Sequence, residues 1–140
     1  MTYRTLEPGQ WAQLWIGGPD LAEPELFLET SEMLIEAPNW SPGGSSLFVN
    51  GNGQLWRTEL GRRPPELSPV SFTGLPQINN DHVLSPDGRH IYLSAMDGHI
   101  YRGPSAAAMW SGSPVRSASG TSCMACLRTA HASPTSGSPI

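Results

Sequence analysis

The amino-acid sequence predicts an all-β chain of short antiparallel strands. Three observations carry that reading. Short aliphatic and aromatic runs, such as Leu47-Phe48-Val49 and Ile91-Tyr92-Leu93, recur between turn signals. The chain holds 15 Gly and 14 Pro in 140 residues, which is dense punctuation for its length. One segment also occurs twice, with its turns and strands in the same order. Period-2 alternation places strands near 12–16, 25–29, 46–50, 54–58, 90–94 and 99–102, with no helix longer than two turns.

Taken in chain order, the first strand is Gln13-Leu14-Trp15-Ile16, which stops at Gly17-Gly18-Pro19-Asp20. That stretch reads as a turn and not a phosphate loop, because neither a Lys nor a helix follows it. Leu26-Phe27-Leu28 and Met33-Leu34-Ile35 come next, within an acidic run from Glu23 to Glu36 that reads as a solvated face. Then the repeat begins. Its first copy is Asn39-Trp40-Ser41-Pro42-Gly43-Gly44, Leu47-Phe48-Val49, and Gly53-Gln54-Leu55-Trp56-Arg57. Its second is His82-Val83-Leu84-Ser85-Pro86-Asp87-Gly88, Ile91-Tyr92-Leu93, and Gly98-His99-Ile100-Tyr101-Arg102. Ser41 and Ser85 lie 44 residues apart, and Leu55 and Ile100 lie 45 apart.

Each copy reads strand, Ser-Pro-x-Gly turn, strand, Gly turn, strand. Pro pre-sets φ for the first central position of a turn, and Asp-Gly tolerates the unusual φ that follows. Leu47 and Val49 alternate with Phe48, and Ile91 and Leu93 with Tyr92, so each middle strand has two apolar faces and belongs between neighbours. Four short strands per unit at this period are the signature of a β-propeller blade. Trp40, Trp56, Tyr92 and Tyr101 are expected to pack between blades.

The motifs Asn39-Trp40-Ser41-Pro42 and Ile78-Asn79-Asn80-Asp81-His82-Val83-Leu84-Ser85-Pro86-Asp87-Gly88 resemble the WD40-like repeat of the TolB-like family. The resemblance covers about residues 11–104. It implies a partial propeller of about two four-stranded blades over residues 1–104. Function is not carried by the fold itself, because propellers host many.

Composition divides the chain near residue 104. Residues 1–104 hold all twelve acids and six of the eight Arg, a net charge of −6. Residues 105–140 hold no acid, two Arg, nine Ser and seven Ala, and show neither strand nor helix period. The sequence predicts disorder there. All eight basic residues are Arg and none is Lys, which points to GC-rich coding DNA. Read from the third base of each codon, residues 119–140 permit a further repeat containing Trp-His-Phe-Leu-His-Gly and Ser-Pro-Asp-Gly. Its Ser falls about 41 residues after Ser85, again a blade period. A frameshift after about residue 104, truncating the propeller, accounts for this. Cys123-Met124-Ala125-Cys126 lies in the same stretch and has no second pair to complete a zinc site.

The chemistry-bearing residues are few. The strand before each Ser-Pro-x-Gly turn is expected to be innermost, which makes Asn39, Asn80, Asp81 and His82 the channel-lining candidates. The competing reading gives Asp81 and His82 purely structural hydrogen bonds between blades. Ser41 and Ser85 lack a nucleophile-elbow context, so no catalytic residue is named. A net charge of −4 argues against nucleic acid, and no apolar run is long enough for a membrane span. The expected function is non-enzymatic binding of another macromolecule, with a protein as the expected partner and no cofactor. Self-association through exposed blade edges is also expected. The alternative is a metal-dependent lyase or hydrolase. It follows from a resemblance to oligogalacturonate lyases, in which channel His hold a divalent metal, and His82 is the one candidate ligand. Met1 to Gly18 contains no apolar signal core, so the expected location is cytoplasmic, or periplasmic if an upstream signal has been lost.

Overall fold

The computed structural model describes residues 3–20 and 22–105. Among them are nine strands and no helix: β1 (Ala12–Ile16), β2 (Glu25–Thr30), β3 (Glu36–Trp40), β4 (Ser46–Gly51), β5 (Gln54–Glu59), β6 (Ser68–Val70), β7 (Ile78–Leu84), β8 (His90–Ala95) and β9 (Ile100–Pro104). They form three antiparallel meanders, ordered β1-β2, β3-β4-β5-β6 and β7-β8-β9. All six expected strands are present within about two residues. β3, β6 and β7 come in addition. The second blade shows three strands among the described residues rather than four, and a two-stranded sheet precedes the first blade. Residues 106–140, with the frameshift reading and the cysteine pair, lie outside the described residues.

The repeat is visible in the turns. Ser41 Oγ accepts the Ser46 N–H at 3.1 Å, and Ser85 Oγ accepts the His90 N–H at 3.0 Å. The Gly44 and Gly88 N–H groups each close back onto the serine carbonyl at 2.8 Å. The second copy adds Asp87, whose carboxylate accepts from Ser85 Oγ at 2.5 Å and from the Arg89 N–H at 3.0 Å. Those bonds favour the charged form and hold the Asp87 carboxyl below its ordinary pKa. Asp97 does the same work in the next turn, accepting the Tyr101 hydroxyl at 2.6 Å and the His99 N–H at 3.0 Å. The Tyr101 bond comes first in lowering the Asp97 pKa, and it raises that of Tyr101 in return. At Gly88, φ is +69° and a Cβ would stand 2.9 Å from Pro42 Cγ, so only glycine lets the two Ser-Pro turns touch.

The middle sheet is apolar on both sides. Leu47 and Val49 of β4 join Ala12, Leu14, Phe27, Leu28 and Ile35 in one core. Phe48, between them in sequence, joins Leu55, Val70, Ile78, Ile91 and Leu93 in a second. A strand alternates its side chains, so one strand serves two seams. Trp56 packs against the first core as expected, and its indole N–H donates to the Gly51 carbonyl at 2.9 Å. Trp40 is 40% exposed, contrary to the expected burial, because it ends β3 next to the turn. Gly51 lets the β4–β5 hairpin approach the β2–β3 connection, since a Cβ there would meet Met33 Sδ at 2.6 Å.

Candidate functional site

The seam between the second and third sheets carries the polar chemistry. β3 and β7 are the strands that meet across it, which makes them the inner strands of neighbouring blades. Both are bulged: the register of β3 shifts between Glu36 and Asn39, and that of β7 between Ile78 and His82. Ala37 sits in the left-handed region at φ 48° within the first bulge. A bulge leaves backbone groups without a ladder partner. Side chains take up the difference here. Asn39 Nδ2 donates to the His82 carbonyl at 2.8 Å, and Asn50 Nδ2 donates to the Asn79 carbonyl. The Ile78 N–H donates to the Gly53 carbonyl at 2.9 Å. Asn79 turns back into its own sheet, donating to Ser94 Oγ at 2.7 Å and accepting the Asp81 N–H at 2.9 Å.

His82 is 6% exposed, on the side of β7 that faces the second sheet. Neither ring nitrogen has a hydrogen-bond partner among the described residues. Burial disfavours the imidazolium and pushes the pKa from 6.5 to about 4. The Phe48 backbone pulls the other way, without a hydrogen bond of good geometry. His82 is therefore neutral at pH 7, the form a metal would need. Among the described residues, however, no group of three His, Cys, Asp or Glu gathers that could hold a metal ion.

Of the four candidates, Asn39 and His82 meet across the seam, while Asn80 and Asp81 stand exposed in the bulge of β7. Asn80 also lines a cavity of about 80 Å³ at one end of the seam, with Asn50 and Asn79. Arg4, ion-paired with Glu36, closes its rim. Asn50 was not among the sequence candidates. Its buried Oδ1 has no partner among the described residues. The signal for it was strand parity, since Ser46, Phe48 and Asn50 share the face of β4 opposite Leu47 and Val49.

Successive antiparallel meanders stacked face to face, with inner strands joined by asparagines, define a β-propeller chain. No family model matches it. A stretch of 56 residues is 48% identical to an uncharacterized protein of Agrobacterium fabrum, covering 39% of this chain and 18% of that one. A solved structure from Agrobacterium tumefaciens, assigned as a TolB, is 30% identical with a TM-score of 0.66. The match covers 76% of this chain and 38% of that chain. The chain is TolB-like and spans well under half the length of either relative.

Proposed function

We propose that this chain is a non-enzymatic protein-binding module, and that the face of its third sheet is where it binds. The supporting observation is an apolar face that no described residue covers. Val83 is 51% and Ile100 39% exposed, and Tyr92, paired with Val83 across β7 and β8, is half-buried on the same side. The corresponding face of the second sheet packs Phe48 into a seam with a neighbouring blade. The occupant proposed for the third face is a second copy of the chain, whose own blades present the matching kind of surface.

Light scattering of the whole 140-residue chain tests this. Concentration-dependent association is expected, with Val83→Glu plus Ile100→Glu weakening it at least about tenfold. A wild-type monomer at all concentrations overturns the proposal, and so does association that the double variant leaves unchanged.

A second reading is favoured only by His82, a neutral buried imidazole with both nitrogens unpartnered among the described residues. It is a metal-dependent lyase or hydrolase, with His82 as one ligand.

A further inference from the structure

The three sheets stack in chain order, which leaves an outer face on the first sheet and another on the third. The repeat fixes what each face carries. In the second sheet, Leu47 and Val49 face the first sheet, and Trp56, paired with Val49, packs on the same side. Phe48 and Leu55 face the third sheet. The second sheet therefore turns one residue set backward, to the sheet before it, and another forward, to the sheet after it. In the third sheet, Ile91 and Leu93 are the backward set, packed against Phe48 and Leu55. Tyr92 and Ile100 occupy the repeat positions of Phe48 and Leu55, so with Val83 they form a forward set.

The first sheet supplies the complement. Gln13-Leu14-Trp15 repeats Gln54-Leu55-Trp56 letter for letter. Leu14 faces forward into the core shared with Leu47 and Val49, as Leu55 faces forward into the next. Trp15 is then the backward residue, in the role Trp56 has against the first core. Leu26 stands opposite Trp15, and Glu29 opposite Gln13. The Trp15 indole N–H donates to Gln13 Oε1 at 3.1 Å, and Gln13 Nε2 donates to Glu29 Oε2 at 2.6 Å, which places all three on one face. Three of the four exposed large apolar side chains among the described residues lie on these two outer faces: Leu26 on the first, Val83 and Ile100 on the third. The charges are complementary as well. Glu29 is exposed on the first face, and Arg102, opposite Tyr92, is exposed on the third. Two third-sheet faces laid together would join forward set to forward set and arginine to arginine. A third face laid on a first face reproduces the forward-to-backward order of both internal seams and sets opposite charges on its two sides.

Resting on the reading that a second copy occupies the third face, we propose that copies join head to tail: the face of Trp15 and Leu26 on one copy covers the face of Val83, Tyr92 and Ile100 on the next. A heterologous contact of this kind builds rings or open chains instead of a symmetric dimer. Two variants of the whole chain, each spoiled on one face, test it by light scattering. One carries Trp15→Gln plus Leu26→Glu, the other Val83→Glu plus Ile100→Glu. Each alone is expected to associate at least about tenfold more weakly than the wild type. Their equimolar mixture is expected to form a dimer and nothing larger, through the one intact pair of faces. A mixture that stays monomeric overturns the proposal. A first-face variant that associates like the wild type overturns the head-to-tail order and leaves the third-face reading standing, whereas a wild-type monomer overturns both. If a variant fails to fold, isotope-filtered nuclear Overhauser contacts in mixed labelled and unlabelled wild-type chain decide the matter. They are expected between the Trp15 indole of one copy and the Val83 and Ile100 methyls of another. Contacts between the Val83 methyls of two copies, or from Val83 to residues 106–140 of its own copy, overturn the proposal.

Discussion

Leu47→Ala is expected to destabilise the chain by about 2–5 kcal/mol. Leu47 is 0% exposed in the central strand of the only four-stranded sheet among the described residues. Its side chain fills the first core beside Leu14, Leu28 and Ile35. Truncation removes apolar burial and leaves a cavity, because β4 is held on both edges by β3 and β5 and cannot collapse inward. Small domains are stable by only about 5–15 kcal/mol in total, so the loss is a large share of what holds the sheets together. Val83→Ala is the matched control. It removes a side chain that is half exposed, and should stay within about 0.5 kcal/mol. Denaturant unfolding of the two variants decides the matter. Equal midpoints would falsify the placement of Leu47 in a packed seam.

Acid should weaken the fold through His82. Its folded pKa, about 4, lies below the ordinary 6.5. The unfolded chain therefore takes up the proton first as pH falls. Stability is fully present above pH 6.5 and is lost progressively as pH falls through about 4. The difference of about 2.5 pH units corresponds to a loss of about 3 kcal/mol. Asp87 and Asp97 also have lowered pKa values. Their stabilisation is lost only as pH falls below the ordinary carboxylate range, so the higher window belongs to histidine. His90 and His99 are not buried as His82 is. His82→Leu keeps the volume roughly and removes the titration. It should flatten the stability profile between pH 6.5 and 4, while the wild type declines. An unchanged slope in the variant would place the proton uptake elsewhere.

The repeat made most of the fold legible. Leu47-Phe48-Val49 and Ile91-Tyr92-Leu93 alternate cleanly, and they are the middle strands of their sheets. β3 and β7 were harder to delimit, because Pro38-Asn39 and Asn79-Asn80-Asp81 are poor strand formers that function as bulged inner strands. β6 contains Pro69, which a strand tolerates at the edge of a sheet, where β6 lies. In the candidate site, His82 and Asn39 stood out in sequence because their residue types carry chemistry. What sequence did not disclose was their depth, since burial in a seam depends on the neighbouring blade. Asn50 escaped notice for a related reason. It looks like an ordinary strand residue until parity and register set it on the face shared with Phe48.

β4 packs a different neighbour on each side. Nuclear Overhauser contacts from its side chains measure this directly. Contacts are expected from the Phe48 ring to Ile91 and Leu93, and from the Leu47 and Val49 methyls to Leu14 and Leu28. Contacts from all three residues to a single set of partners, or from Phe48 to Leu14, would contradict it.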